Sequence, residues 1–154
     1  MIKIELNEFE MKLCHFIGKK RNSENINNHV QNARMSNLDD EEINIQGFIA
    51  EFAFCKKFNL FPDFDISSRN GSFDGKTKNG KRYDIKSTTN KNGNLLATLK
   101  HNKDVDIYVL SYLDKNVVEF VGWIDKDEFI NEKNIKNLGH GDGYFLDKNK
   151  LNKF

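Results

Sequence analysis

The first part of the chain has hydrophobic residues at helical spacing. Over residues 8–20, apolar positions recur every three or four residues, which predicts a helix that ends at Gly18 or shortly after it. A second helix over 26–35 is only weakly indicated, because this stretch is polar and rich in asparagine. We therefore expect residues 1–38 to form a helical N-terminal extension.

A longer helix is predicted over residues 39–57. The acids at 39–42 favour its start, because the N-terminal end of a helix dipole attracts negative charge. Gly47 is a poor helix former, and it is explained if this helix approaches the sheet closely there. Its apolar stripe consists of Ile45, Phe48, Ile49, Phe52 and Cys55.

Beyond Pro62 the pattern changes to short alternating segments that are typical of strands. A hairpin turn is predicted at 114–116, a short helix at 125–132 and an edge strand at 144–146. The fold class expected is α/β, a mixed β-sheet core flanked by helices in one small domain spanning 1–154, with the core at about 39–132 and an irregular tail at 133–154. The predicted strands are 72–77, 81–88, 94–99, 106–113 and 117–124.

Composition narrows the function classes. The 154 residues are 38% hydrophobic, enough for a real core, and 24 basic against 23 acidic residues leave a formal charge of +1. Net charge therefore does not indicate a nucleic-acid partner, and a basic surface would have to be local. Two cysteines make a disulfide framework or a structural zinc site improbable. Without a membrane span or a signal-peptide pattern, we expect a cytoplasmic protein.

The pattern of an acid, any residue and a lysine occurs three times, at residues 10–12, 74–76 and 84–86. A chain this rich in charge should contain about three by composition, so an exposed charge pair is the simplest explanation for each. Asp84 and Lys86 differ because they stand in a predicted strand. They should share one face of it, while Tyr83 and Ile85 share the other.

Two hairpin loops are compatible with the residues before Asp84. A three-residue loop over 78–80, with Gly80 in the left-handed region, pairs Thr77 with Lys81 and places Asp74 opposite Asp84. Two facing carboxylates repel each other, and a divalent cation between them would turn the repulsion into coordination. A two-residue turn at 79–80 is equally compatible and would place Asp74 opposite Ile85 instead.

Glu51 is a third candidate. It lies beside the apolar stripe of the helix over 39–57, three residues after Phe48 and four before Cys55. A carboxylate there needs a partner or a position near water. The alternative to a functional role is a pair with Lys57 or another lysine.

The order of these residues resembles the PD-(D/E)XK nuclease superfamily, which has the restriction-endonuclease-like fold. In that family a helix carries a Glu, a following hairpin carries Asp and the D/E-x-K motif, and further strands complete the core in an αβββ…β order. The likeness covers about 45–125, with 106–110 resembling a later core strand. The motifs that carry it are Gly47-Phe-Ile-Ala-Glu51, Asp74 and Asp84-Ile-Lys86-Ser87-Thr88.

The resemblance implies a Mg²⁺-dependent deoxyribonuclease, with Mn²⁺ as a substitute. Asp74, Asp84 and the Ile85 backbone carbonyl would hold the metal, and Glu51 would complete the site directly or through water. Lys86 would orient or deprotonate the attacking water and offset phosphate charge. No nucleotide cofactor is expected.

Weaker candidates for substrate binding follow these motifs. Ser87 and Thr88 either contact the phosphate backbone or are ordinary strand residues. The resemblance points to DNA as the partner, to an endonuclease of phage or mobile-element type, and to a homodimer if both strands are cut. The alternative is a catalytically silent nucleic-acid-binding or host-interaction protein on the same fold. Lys100, His101 and Lys103 follow the next predicted strand and either touch DNA or form an exposed loop.

Overall fold

Two β-sheets and two long helices build the fold. The structure is a computed structural model, and it describes residues 1–29, 39–67, 73–100 and 104–154. The elements are, in chain order, β1 (Ile2–Glu5), α1 (Glu8–Asn27), α2 (Asp40–Phe58), β2 (Gly75–Lys76), β3 (Arg82–Thr88), β4 (Leu95–Thr98), β5 (Ile107–Asp114), β6 (Val117–Asp125), α3 (Lys126–Phe129), β7 (Ile135–Asn137) and β8 (Asp142–Leu146).

The larger sheet has five strands in the order β1-β6-β5-β3-β2. Its β3 and β5 are parallel and the other pairs are antiparallel, so the sheet is mixed. A smaller antiparallel sheet has the order β4-β8-β7. The chain is therefore a small single-domain α/β fold, which confirms the coarse class predicted from the sequence.

The two faces of the larger sheet are covered differently. Helices α1 and α2 pack on one face, where Phe48, Phe54, Tyr83 and Phe120 are among the buried core residues. The other face carries the smaller sheet and the short α3, so the long helices that were predicted to flank the sheet lie on one side of it. The second core includes Leu95, Tyr108, Leu110, Ile124, Phe129 and Leu146.

Gly18 does not end the first helix. Asn7 caps α1 by accepting from the Glu10 N–H, and the helix continues to Asn27. At Gly18 the two long helices pass so closely that an added β-carbon would lie 2.5 Å from the Ile45 Cα. The close approach expected at Gly47 is wrong, because a β-carbon there would meet no described atom within 4 Å outside its own helix.

The predicted strands are confirmed in position but differ in extent. The strand predicted at 72–77 is reduced to β2, and β4 joins the smaller sheet instead of the larger one. The helix predicted at 125–132 ends at Phe129, and Asp125 makes no side-chain cap. The predicted turn at 114–116 is confirmed by the pairing of Asp114 with Val117.

Both chain ends contribute to the sheets. The extension at 1–38, predicted to be helical, contains β1 as well as α1, and β1 pairs with β6. The tail at 133–154, predicted to be irregular apart from an edge strand at 144–146, contains β7 and β8, and β8 is the central strand of the smaller sheet. Asn152 exchanges backbone hydrogen bonds with Trp123. Most of the weakly indicated helix at 26–35 lies outside the described residues.

Candidate active site

A three-residue loop joins β2 to β3. The Thr77 N–H donates to the Lys81 carbonyl at 2.9 Å, and the Gly80 N–H donates to the Thr77 carbonyl at 2.9 Å. Gly80 has φ +80°, the left-handed conformation that this loop requires. Of the two hairpins that the sequence allows, the structure therefore has the one with Thr77 opposite Lys81.

This register brings Asp74 close to Asp84. Gly75 pairs with Tyr83 at the end of the ladder, and the residue before it, Asp74, is near enough to Asp84 for the two carboxylates to repel each other. The Asp74 N–H donates to the Tyr83 carbonyl at 2.9 Å. The Asp74 Oδ2 accepts from the Ile85 N–H at 2.7 Å. Because backbone groups alternate in direction along a strand, the Ile85 carbonyl points to the same sheet edge as the Tyr83 carbonyl.

Asp84 and Lys86 form an ion pair on one face of β3. Lys86 Nζ lies 2.8 Å from Asp84 Oδ1 and 3.0 Å from Oδ2. The Asp84 side chain is 12% exposed and the Lys86 side chain 39%, so the pair stands at the rim of the core, where water reaches the ammonium. Tyr83 and Ile85 are buried under the helices, on the other face, as the alternation predicts.

Glu51 is held by a residue that the sequence analysis did not identify. Arg21 Nη1 donates to both carboxylate oxygens of Glu51, at 3.2 and 3.0 Å. The two side chains are 8% and 14% exposed. Arg21 also donates to the carbonyls of Asp65 at 3.1 Å and Asp63 at 2.7 Å, and its guanidinium stacks on Phe48 with 4.6 Å to the ring centroid. One buried cation thus joins α1, α2 and the segment after α2.

The spacing of the inward-facing residues along α1 indicates that Arg21 is buried. Cys14, Ile17 and Arg21 stand at i, i+3 and i+7, so the arginine lies on the inner stripe of the helix. A charge on an apolar stripe requires a buried partner. That partner is 30 residues away on another helix, and local spacing does not identify it.

The acids act on one another electrostatically. Burial raises the pKa of Asp74 well above its usual value, and repulsion from Glu51 and Asp84 raises it further, although the Ile85 N–H and Lys86 oppose the change. Burial alone would lower the pKa of Lys86, but attraction to Asp84, Asp74 and Glu51 outweighs it and raises the pKa. Three acids and one amine therefore share one electrostatic site.

The donor set suits a hard divalent cation in part. Asp74 and Asp84 offer carboxylate oxygens under mutual repulsion, and the Ile85 carbonyl faces the edge where Asp74 lies. Mg²⁺ commonly takes one or two carboxylates and keeps several waters, so this set fits it. Among the described residues, no three His, Cys, Asp or Glu side chains are grouped as a ready cage. Because Arg21 occupies both oxygens of Glu51, that acid fits a water-mediated contact better than direct ligation.

The weaker candidates are placed less favourably. The Ser87 Oγ is buried and has no hydrogen-bond partner within the described part of the chain. Thr88 Oγ1 accepts from the Asn90 N–H at 3.1 Å and so belongs to a turn. Lys100 is exposed, while His101 and Lys103 lie outside the described residues. None of these residues is shown beside Asp84.

Comparisons with known proteins identify a family for this chain but do not indicate an activity. Residues 3–119 match the model of DUF5843, which is described as a family of unknown function. No curated protein matches the chain, and no solved structure matches it. Within the described ranges, no helix has the length and apolar character needed to cross a membrane.

Proposed function

The chain belongs to the DUF5843 family of unknown function, and we propose that it is a divalent-metal-dependent nuclease that hydrolyses phosphodiester bonds in DNA. The observation that carries this proposal is the register of the β2–β3 hairpin. It brings the Asp74 carboxylate near enough to Asp84 for the two acids to repel each other, with the Lys86 ammonium on the Asp84 carboxylate. A fold that needed only stability would gain by replacing one of two facing acids, because their repulsion opposes folding.

The order of elements is consistent with a restriction-endonuclease-like core. Helix α2 carries Glu51, the hairpin β2–β3 carries the two aspartates, and β5 lies parallel beside β3. The connection from β3 to β5 passes through β4 of the smaller sheet, which is a departure from a direct helical crossover. We propose in addition that the chain is a member of the PD-(D/E)XK superfamily, that its substrate is DNA and that it cuts as an endonuclease.

The residues of the chain divide the chemistry among them. Asp74, Asp84 and the Ile85 carbonyl would hold Mg²⁺ or Mn²⁺, which would neutralise phosphate charge and lower the pKa of a bound water. Lys86 has a raised pKa and is therefore a cation at neutral pH. This favours a role in orienting water and offsetting phosphate charge over a role as a base. Arg21 fixes the Glu51 carboxylate at the inner side of the site.

A catalytically silent binding protein is the second candidate. The observation that favours it is charge compensation inside the site, where Lys86 covers both oxygens of Asp84 and Arg21 covers both oxygens of Glu51. A cluster neutralised in this way can persist for structural reasons. The two candidates differ in what Asp74 does: the nuclease needs its carboxylate as a metal ligand, whereas the silent binder needs it only to accept from the Ile85 N–H.

One assay distinguishes the candidates. The protein is incubated with supercoiled, linear and single-stranded DNA in Mg²⁺, Mn²⁺ or EDTA, and calorimetry measures metal uptake. We expect metal-dependent cleavage that is lost in Asp84→Asn and Lys86→Ala and retained in Asp142→Asn, an exposed acid on β8. DNA that is shifted in a gel and never cut supports the silent binder. Absence of metal uptake by the unmodified protein overturns the nuclease proposal.

A further inference from the structure

The outer face of α1 carries large apolar side chains in water. Phe9 is 79% exposed, Leu13 37% and Phe16 57%. At about 100° per residue, these three positions and Lys20 fall within roughly 60° of one another, so they form one stripe. We call Phe9, Leu13 and Phe16 the outer stripe. Monomeric proteins seldom leave several adjacent large side chains exposed on one element without a partner.

Among the described residues, the ring contacts shown for Phe9 and Phe16 are with lysines of the same helix. Lys12 Nζ lies 5.8 Å from the centroid of the Phe9 ring, and Lys20 Nζ lies 5.8 Å from that of Phe16. These are exposed cation–π contacts, which are weak. The stripe is therefore free to exchange them for apolar contacts.

The outer stripe is nearly symmetric along the helix axis. The order Phe, Leu, Phe at residues 9, 13 and 16 reads almost the same in both directions. Two antiparallel copies crossing near residues 12–13 would set Phe9 of each against Phe16 of the other. A self-complementary patch of this kind is what a two-fold interface requires.

The charged residues beside the outer stripe are also self-complementary in an antiparallel pair. Glu8 and Lys19 lie on one flank of the helix, at opposite ends of the outer stripe. In the antiparallel arrangement, Glu8 of one copy comes within about 3 Å, along the axis, of the level of Lys19 in the other. Glu8 now pairs only with the exposed Lys12 of its own helix among the ion pairs shown, at 2.6 Å. That ion pair is short but exposed to water, so little free energy is lost when Glu8 turns instead to Lys19 of the other copy.

We propose that the outer stripe is the interface of a homodimer in which two α1 helices pack antiparallel about a two-fold axis. Phe9 and Phe16 leave roughly 250 Å² of ring surface per copy in water. A standard interface buries about 800 Å² per partner, so the lysine stems beside the stripe must supply much of the rest. The dimer is accordingly small and reversible. This inference does not depend on nuclease activity.

Sedimentation over a range of protein concentrations tests the interface. We expect the unmodified chain to shift reversibly from monomer to dimer mass, and Phe9→Ser with Phe16→Ser to remain monomeric at every concentration while keeping the same circular dichroism spectrum. Phe61→Ser is the matched control, because Phe61 is 88% exposed and lies off the stripe. A chain that stays monomeric, or a dimer that survives both serines, overturns the proposal. So does binding to anionic lipid vesicles by a chain that never dimerises.

Two further variants test the orientation. Lys12→Cys stands about half a residue from the crossing point and should form a symmetric disulfide under mild oxidation. Ser23→Cys, exposed on the same side of α1, would lie about 30 Å from its copy and should not. The native Cys14 and Cys55 are buried and do not compete. Glu8→Lys or Lys19→Glu alone should weaken the dimer several-fold, and the two together should restore it; a parallel dimer would show no such rescue.

Discussion

Arg21 on α1 donates from one nitrogen to both carboxylate oxygens of Glu51 on α2, and both side chains are almost fully buried. The pair connects the two long helices at the level of the proposed active site. It also connects them to the following segment, because Arg21 donates to the carbonyls of Asp63 and Asp65. One guanidinium therefore contributes both to the stability of the fold and to the position of Glu51.

Replacement of Arg21 by methionine should destabilise the protein strongly. The methionine would leave a buried carboxylate and two carbonyls without their donor, and losing one partner of a buried ion pair typically costs about 3–5 kcal/mol. Denaturant unfolding measures this, and Glu51→Gln combined with Arg21→Met should cost less than the sum of the two. Lys81→Met is the control, since it breaks the exposed pair with Asp125 and should cost under about 0.5 kcal/mol. If Arg21→Met and Lys81→Met lowered the free energy of unfolding by the same amount, the burial of Arg21 would be contradicted.

Two helical glycines should respond to alanine with opposite signs. Gly18→Ala would push a methyl group against the Ile45 backbone and should destabilise the protein by about 1–3 kcal/mol. Gly47→Ala meets open space in the middle of α2 and should stabilise it by about 1 kcal/mol, because alanine is the better helix former. Thermal unfolding of both variants provides the comparison. Destabilisation by Gly47→Ala would show that α2 is packed more closely there than described.

The part of the fold that sequence predicts is the part governed by local periodicity. The stripe that begins at Ile45 predicted α2, and short strand-like segments predicted β3, β5 and β6. Buried and partly exposed residues alternate along β6, whereas β5 is an apolar run buried on both faces. The four-residue β1 and the exposed β7 carry too short or too polar a pattern to be recognised. Their pairing depends on partners far along the chain. Gly18 was assigned to a helix end because glycine serves both there and at close helix crossings.

For the candidate site, the residues of one hairpin were predictable and the long-range contact was not. The residues of the loop that ends at Gly80 limited the register of the β2–β3 hairpin to two possibilities, and the structure shows which of the two forms. Strand alternation placed Asp84 and Lys86 on one face, as found. The alternative to a functional role for Glu51 was a pair with Lys57 or another lysine, whereas its partner is Arg21, which no local rule connects to it. The metal and the reaction stay predictions.

Both native cysteines should be inert in the folded protein. Burial raises the pKa of Cys14 to about 12, and Glu10 and Glu51 add to the rise. Burial also raises the pKa of Cys55, against the opposing contact of its Sγ with the Tyr83 hydroxyl at 3.5 Å. Because the thiolate is the reactive form, we expect no reaction with a thiol reagent at about pH 8 until the protein is unfolded in denaturant. Rapid labelling of the native protein would mean that the helix-side core opens locally.

Asp74→Asn should stabilise the metal-free protein. The pKa of Asp74 is raised in the folded state by burial and by repulsion from Glu51 and Asp84, so folding favours its protonated form. The free energy of unfolding should then fall as pH rises from the ordinary value of 3.8 through the raised one, and asparagine removes this loss while still accepting from the Ile85 N–H. Mn²⁺ should reverse the order, since a ligand at 100 times its Kd stabilises by about 2.7 kcal/mol and only the carboxylate binds it well. Asp142→Asn serves as the control, because it should leave the free energy of unfolding unchanged both with and without Mn²⁺. If Asp74→Asn destabilises the metal-free protein, the carboxylate is a structural acceptor, and the argument from facing acids to a metal site loses its foundation.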